Sequence, residues 1–429
     1  MAREIPSPAQ RRARLKKTFY LLLAEIAVVV IVCGAVNLYA GFLLHRELAF
    51  IRQNGQPLTS AEALPPPIPQ SQNAAPLYQR AAAVMQFNSS DDCKNLNAKK
   101  MRAILRKNVQ AISLIRQATD KSQCRFTLTR DENDILSTSP KETKLRDLAR
   151  LLGIQARSEA QAGNQKAALQ DVRRQFIMAR HVANEPLMLC GFLAREMEVI
   201  ANNTLAKVLL RSSLTSAEAR AFEASLSQID WIPYLHRILL TERVLDMEEA
   251  QSFRDRSGTN GVWLNPMFKM DEMYSLRLWK DIIKDEENAP TPLPPDYGKE
   301  IDERAKKMPF YALMASTVTT LYSRVRREYD YSETQRRQRE IALALAVYHS
   351  QYHQYPVTLE PAEKLWKSTF SLDTYSKKSF RYKSDGKTFL LYSVGSNGRD
   401  DGGVWKYTGK DATSRDDLAW KNIDLKTSN

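Results

Sequence analysis

Apolar positions along the chain fall into three textures: one unbroken run, a long stretch of helical periodicity, and a short terminal region that alternates as strands do. The run is Thr18 to Leu44, TFYLLLAEIAVVVIVCGAVNLYAGFLL, in which Glu25 is the only charged side chain. At 1.5 Å per residue it makes a helix of about 40 Å, longer than the ~30 Å hydrocarbon core of a bilayer. Residues 45–72 contain Pro57 and then LPPPIP from Leu64 to Pro69, which predicts a stiff polyproline-like stalk.

From Asn73 the pattern becomes helical, and residues 73–332 read as a helical body. Met101, Leu105, Val109, Ile112 and Ile115 recur at three- and four-residue steps, predicting one helix over about Asn97 to Ala118. Leu145, Leu148, Leu152 and Ala156 mark another, ended by Gly163-Asn164. Leu169, Val172, Phe176 and Ala179 mark its antiparallel partner. The pair looks like a tetratricopeptide-type hairpin, one unit rather than a regular array, so the body is repeat-like. A third apolar helix, Leu187 to Leu210, follows Pro186, and Thr215 with Glu218 forms a capping box for the next. Residues 255–300 are polar, with prolines at 290, 292, 294 and 295, and predict a loop-rich excursion. Helix returns from Pro309 to Tyr355-Pro356. Beyond it Phe380–Tyr382 and Phe389–Ser393 alternate as strands around the turn Ser384–Lys387. The expected fold class is mainly α: a transmembrane helix, a repeat-like helical body, and a small α+β lobe over 333–429.

Charge orients the first helix. Residues 1–17 carry six Lys/Arg and one Glu, whereas the opposite flank, His45-Arg46-Glu47, is nearly neutral. The positive-inside rule puts the N-terminal tail in the cytoplasm and the rest outside it. A cleaved signal peptide has a 7–15-residue apolar region, about half of what is present here. Cys33 as a lipidated residue is disfavoured by Val32 before it and apolar sequence after it, leaving an uncleaved anchor as the reading. The net charge is +14, of which the tail supplies +5. The remainder forms no Lys/Arg patch interleaved with aromatics, so nucleic-acid binding is not expected; attraction to anionic lipid or cell-wall polymers, or simply solubility, is the plainer reading.

Of four cysteines, Cys33 lies in the anchor and Cys190 in an apolar helix, both as packing residues. An oxidising compartment permits a Cys93–Cys124 disulfide, but a ~33 Å helix between them argues against one. His349 and His353 have a zinc-compatible spacing without a third ligand or a following Glu, and read as surface or packing residues. Glu25 lies close enough to the cytoplasmic end to snorkel. No G-x-S-x-G, Walker A, dinucleotide fingerprint or cysteine–histidine nucleophile signature occurs.

A Tyr-Pro helix end, a hairpin, LYSVGSNGRDDGG and a closing Asp-Asp segment together resemble the C-terminal part of type II secretion major pseudopilins, over residues 333–420. The whole chain resembles a family of uncharacterised bacterial membrane-anchored proteins in which such a lobe follows a helical body; Asn73-Ala74-Ala75-Pro76-Leu77-Tyr78 matches that family too. Two features depart from the pseudopilin pattern. No Gly precedes a Phe five residues before the membrane Glu, and the usual Asp-Pro with a following Gly appears as Asp373-Thr374 with Lys377. The resemblance implies calcium binding in the acidic loop, and the chemistry agrees, because Ca²⁺ takes six to eight hard oxygens from a tightly turning chain. Asn397, Asp400 and Asp401 would supply them, with Asp416 and Asp417 closing the site. A solvated turn is the plainer reading of the same residues.

Three functions fit the sequence: a non-enzymatic scaffold or adaptor for protein partners in the bacterial envelope, anchored in the inner membrane; a component of a type II secretion or pilus-like assembly that docks through a calcium-binding lobe; and an enzyme without a recognisable motif.

Overall fold

The computed structural model describes the chain apart from residues 1–7, 94–95, 131–135, 140, 227, 257–260, 289, 291, 293–302, 304–306, 310–311, 407–414 and 421–429. A 46-residue helix, α1 (Pro8–Gln53), leads into a short α2 (Ser60–Ala63). Next come α3 (Ala75–Val84), α4 (Ser89–Asp92), α5 (Ala98–Lys107), α6 (Val109–Thr119) and the hairpin β1 (Thr127–Arg130) and β2 (Leu136–Ser139). The body continues with α7 (Glu142–Gln161), α8 (Gln165–Val182), α9 (Met188–Leu209), α10 (Ser216–Ser225), α11 (Trp231–Arg256) and α12 (Gly261–Glu287). The last part holds α13 (Leu313–Tyr352), α14 (Glu360–Trp366), β3 (Arg381–Ser384), β4 (Phe389–Ser393), β5 (Trp405–Lys406), β6 (Arg415–Asp416) and β7 (Leu418–Trp420).

The predicted 97–118 helix is two helices. Asn108 breaks it at φ −116°, and its side chain accepts from the Gln86 amide and donates to the Ile104 carbonyl. A residue that satisfies neighbouring backbone groups in this way replaces a turn of helix with a corner. Cys93 and Cys124 are not joined by a disulfide; Cys124 is buried and Cys93 exposed.

Helices α7, α8 and α9 form the centre of the body, and the predicted inner faces are the buried ones. They approach closely at Gly153, where a Cβ would lie 2.7 Å from Thr204 Oγ1 and 2.9 Å from Gln175 Nε2. The capping box at Thr215 and Glu218 is present. The segment Asn73–Tyr78 locks the first helices to this centre. Asn73 Oδ1 accepts from the Arg125 and Ala75 amides, Ala74 and Ala75 are fully packed, and the Tyr78 hydroxyl shares a 3.0 Å hydrogen bond with buried His181 Nδ1.

Two expectations change. Residues 45–72 are not a free-standing stalk: α1 runs on to Gln53, and Arg243 from α11 donates to Gln56 Oε1 and the Pro57 carbonyl. The polar 255–300 stretch holds the 27-residue α12, which lies along α1. Lys269 donates to Asn37 Oδ1 at 2.9 Å, Arg277 pairs with Glu47 at 2.9 Å, and Leu43, Leu44 and Ile51 pack on Met273 and Leu276. The polar residues of this stretch make the inter-helix ion pairs, which is why its composition reads as loop. Pro294 and Pro295 lie outside the described residues.

In the terminal region β3, β4 and β7 form an antiparallel sheet in that order, with Leu391 opposite both Tyr382 and Trp420. Its apolar face does not make a separate core. Phe370, Phe389, Leu391 and Trp420 share one with Phe176, Leu205, Leu209 and Phe222 of the body, through Ile341–Val347 of α13. The boundary expected at residue 333 thus falls inside a helix that belongs to both parts. His353 ends α13 in the left-handed conformation, which breaks the i,i+4 face it was expected to share with His349. His349 stacks on Tyr355 instead.

Candidate functional site

Two places gather polar groups whose arrangement exceeds what folding needs. The first is the acidic loop after β4. The chain leaves the sheet through Gly395, at φ 66°, directly against Asp416; a Cβ there would collide with the Asp416 carbonyl and fall 2.7 Å from its Oδ1. Only glycine fits both the conformation and the space. This close approach brings Asp401 to Asp416 and Asp417, one oxygen of each lying within 4.8 Å of the others. Asp417 is fully buried; its Oδ2 accepts from the Asp401 and Gly403 amides. Asp416 Oδ2 accepts from the Ser396 hydroxyl and the Asn397 amide. The remaining oxygens, Asp416 Oδ1 and Asp417 Oδ1, are buried and meet no hydrogen-bond donor among the described residues. Burial, and then the charges of Asp401 and Asp400, raise the Asp417 pKa above its ordinary value.

Of the five residues expected at this site, three converge. Asn397 sits beside them, donating through Nδ2 to Asp401 Oδ2 at 3.0 Å. Asp400 faces the other way, accepting from the Tyr392 hydroxyl at 2.8 Å and pairing with Arg381; the Tyr392 bond holds its pKa below the usual carboxylate range. Three converging carboxylates with two unpartnered buried oxygens suit a hard cation such as Ca²⁺. Asp401, Asp416 and Asp417 would hold it and Asn397 would orient Asp401. In the turn that precedes β3, buried Asp373 accepts from the Ser393 hydroxyl and the Tyr375 and Ser376 amides, and Lys377, standing where a glycine is usual, takes the left-handed conformation.

The second place is a cleft of about 340 Å³ where α9, the start of α11 and α13 meet. Phe176, Trp231 and Tyr329 provide its apolar walls, with Glu198, Arg336 and Arg339 among its charged groups. Arg339 is clamped by two contacts to Glu223, each 3.0 Å, and stacks over Phe176. Glu198 accepts from the Trp231 indole at 3.3 Å, and burial against Arg339's opposing pull brings its pKa up to about 7. It can therefore exchange a proton near neutral pH, a property of groups found at binding and reaction sites. Sequence reading missed this cleft because its residues come from positions as far apart as 176 and 339. The one local signal is the charged interruption Arg195-Glu196-Met197-Glu198 within an otherwise apolar helix.

No protein-family model, curated protein or solved structure matches the chain.

Proposed function

We propose that the protein is a scaffold or adaptor of the bacterial envelope, held in the inner membrane by α1 with its N-terminus inside, and that it binds a protein partner on its extracytoplasmic body. The observation that carries this reading is the cleft between α9, α11 and α13. Aromatic walls with arginine and a few carboxylates are the composition that dominates protein–protein hot spots, and packed helices with the adjoining segment 228–230 frame the cleft, which favours preorganisation. The tetratricopeptide-type reading of α7–α8 belongs to this proposal, since helical-repeat bodies commonly present concave binding surfaces. The test is photo-crosslinking in intact cells from exposed Gln228 at the cleft mouth, with and without Arg336→Glu. A discrete partner adduct that Arg336→Glu abolishes, with the melting temperature unchanged, supports the proposal. An adduct indifferent to that substitution sinks it.

A second reading, docking of a pseudopilin-like lobe into a secretion or pilus-like assembly, is favoured by the two unpartnered buried carboxylate oxygens of the Asp401, Asp416 and Asp417 cluster. Calcium at a hundredfold over its dissociation constant would add about 2.7 kcal/mol to stability. Melting in calcium and in EDTA, beside Asp417→Asn, tests it. Wild-type stabilisation that the variant loses supports a metal lobe, and identical curves leave the loop as a turn.

A further inference from the structure

The α11–α12 hairpin reaches past the end of the body along α1. Its two helices run antiparallel: Asp246 binds Ser275 and Trp279, Arg254 pairs with Glu272, and the Phe253 and Phe268 rings meet edge to face at 5.2 Å. Relative to α1, α12 runs parallel, because residue 269 sits at 37, 277 at 47 and 280 against Phe50. The end of the hairpin that holds Phe253 and Phe268 therefore points toward the N-terminal part of α1.

Burial along α1 shows how far it reaches. Every residue from Leu15 to Val32 is exposed, and one face becomes covered from Cys33, through Asn37 and Ala40, to Leu44. The bare part of the apolar run, Thr18 to Val32, is only about 22 Å of helix, short of the ~30 Å hydrocarbon thickness. If α1 crosses a bilayer, the last ~8 Å of hydrocarbon must surround the part of α1 that α12 already covers, a depth usual for interfacial helices. The hairpin end has the residues for that position. Phe253 is 52% exposed although large and aromatic, and Phe268 packs against it, side chains of the kind that interfacial helices bury at the membrane surface.

We infer that the α11–α12 hairpin end is inserted in the outer leaflet of the bilayer crossed by α1, a second membrane contact that fixes the body's orientation on the lipid surface. The inference rests on the anchor reading of α1, and the test separates the two. Full-length protein carrying a photo-reactive benzoylphenylalanine in place of Val29, Phe253 or Lys166 is reconstituted in phosphatidylcholine–phosphatidylglycerol vesicles with radiolabelled phosphatidylcholine. The expected result is lipid adducts at positions 29 and 253 and none at 166, which is exposed on the far body. Adduct at 29 without 253 overturns the insertion and leaves the anchor standing. No adduct at 29 overturns the anchor, and the insertion with it. A dimer-sized protein adduct at 253 in place of lipid assigns that face to a second copy and overturns the insertion equally.

Discussion

Two ionisable side chains, buried His181 and half-buried Glu198, give the protein opposite responses to pH. His181 is fully buried beside Tyr78; burial first, and then the Arg180 charge, lower its pKa to about 4, against a weak opposing bond to the Lys121 carbonyl. The unfolded chain therefore binds the proton more readily, so stability is full above about pH 6.5 and falls as pH drops toward 4. The loss at pH 4 is on the order of 3 kcal/mol. His181→Gln, which keeps a hydrogen-bonding group for Tyr78, should flatten that part of a plot of urea midpoint against pH. An unchanged slope would show that other groups carry it. Glu198 has the reverse sign: with a folded pKa of about 7, raised by burial, its contribution falls as pH rises from 4.5 through 7. Removing that penalty with Glu198→Gln should then stabilise the protein at pH 8 by up to about 3 kcal/mol and have little effect at pH 5; destabilisation at pH 8 would mean the ionised form is held by more than Arg339. Neither response is legible in the sequence, because a histidine or glutamate in a helical pattern does not reveal what faces it from 60 or 140 residues away.

Helix pattern, by contrast, was readable wherever one face is apolar and one is wet. The boundaries expected for α7, α8 and α9 match because Leu145, Leu148, Leu152, Val172 and Phe176 are buried at the helical period and Gly163 supplies a positive-φ stop. The pattern fails for α12, whose polar positions face another helix: Lys269, Glu272, Ser275 and Arg277 all bind partners on α1 or α11. It fails for α5 and α6 because a single Asn redirects the backbone without disturbing the apolar period. The closest approach in the body gives the prediction at this scale. Gly153→Ala would push a methyl into Thr204 and Gln175, which are held in place: Gln175 donates to Thr204 Oγ1 at 3.2 Å and to the Ala149 carbonyl at 2.8 Å. A destabilisation of about 1–3 kcal/mol follows from overpacking, visible as a lower denaturant midpoint with an unchanged slope. In the acidic loop Gly395→Ala should do more local damage, separating Asp416 from Asp401 and abolishing any calcium-dependent rise in melting temperature; a rise that survives would place the metal elsewhere.

For the whole molecule, the anchor, body and terminal lobe that read as separate segments are joined by packing and ion pairs. Arg339 of α13 holds Glu223 of α10, Gln338 donates to the Leu418 carbonyl, Ser350 accepts from the Leu214 amide, and Arg220 lies over the Trp366 ring. The acidic loop could be singled out from the sequence because its acids and glycines lie in two short stretches, and three of those acids do converge; the shared core could not, because it joins Leu205 and Phe222 to Leu391 and Trp420 across some two hundred residues. A lobe that contributes half of a core cannot melt alone. The terminal sheet and the helical body should unfold in one transition, followed identically by tryptophan fluorescence and far-ultraviolet circular dichroism. Trp420→Ala, which empties a buried site in that core, should lower the transition by the equivalent of about 3–5 kcal/mol in both signals together. Two separated transitions, with the variant moving one alone, would restore the picture of an independent lobe on a tether. Coincident transitions would mean that any ligand which stabilises the acidic loop also raises the unfolding midpoint of the helical body, the cleft between α9, α11 and α13 included.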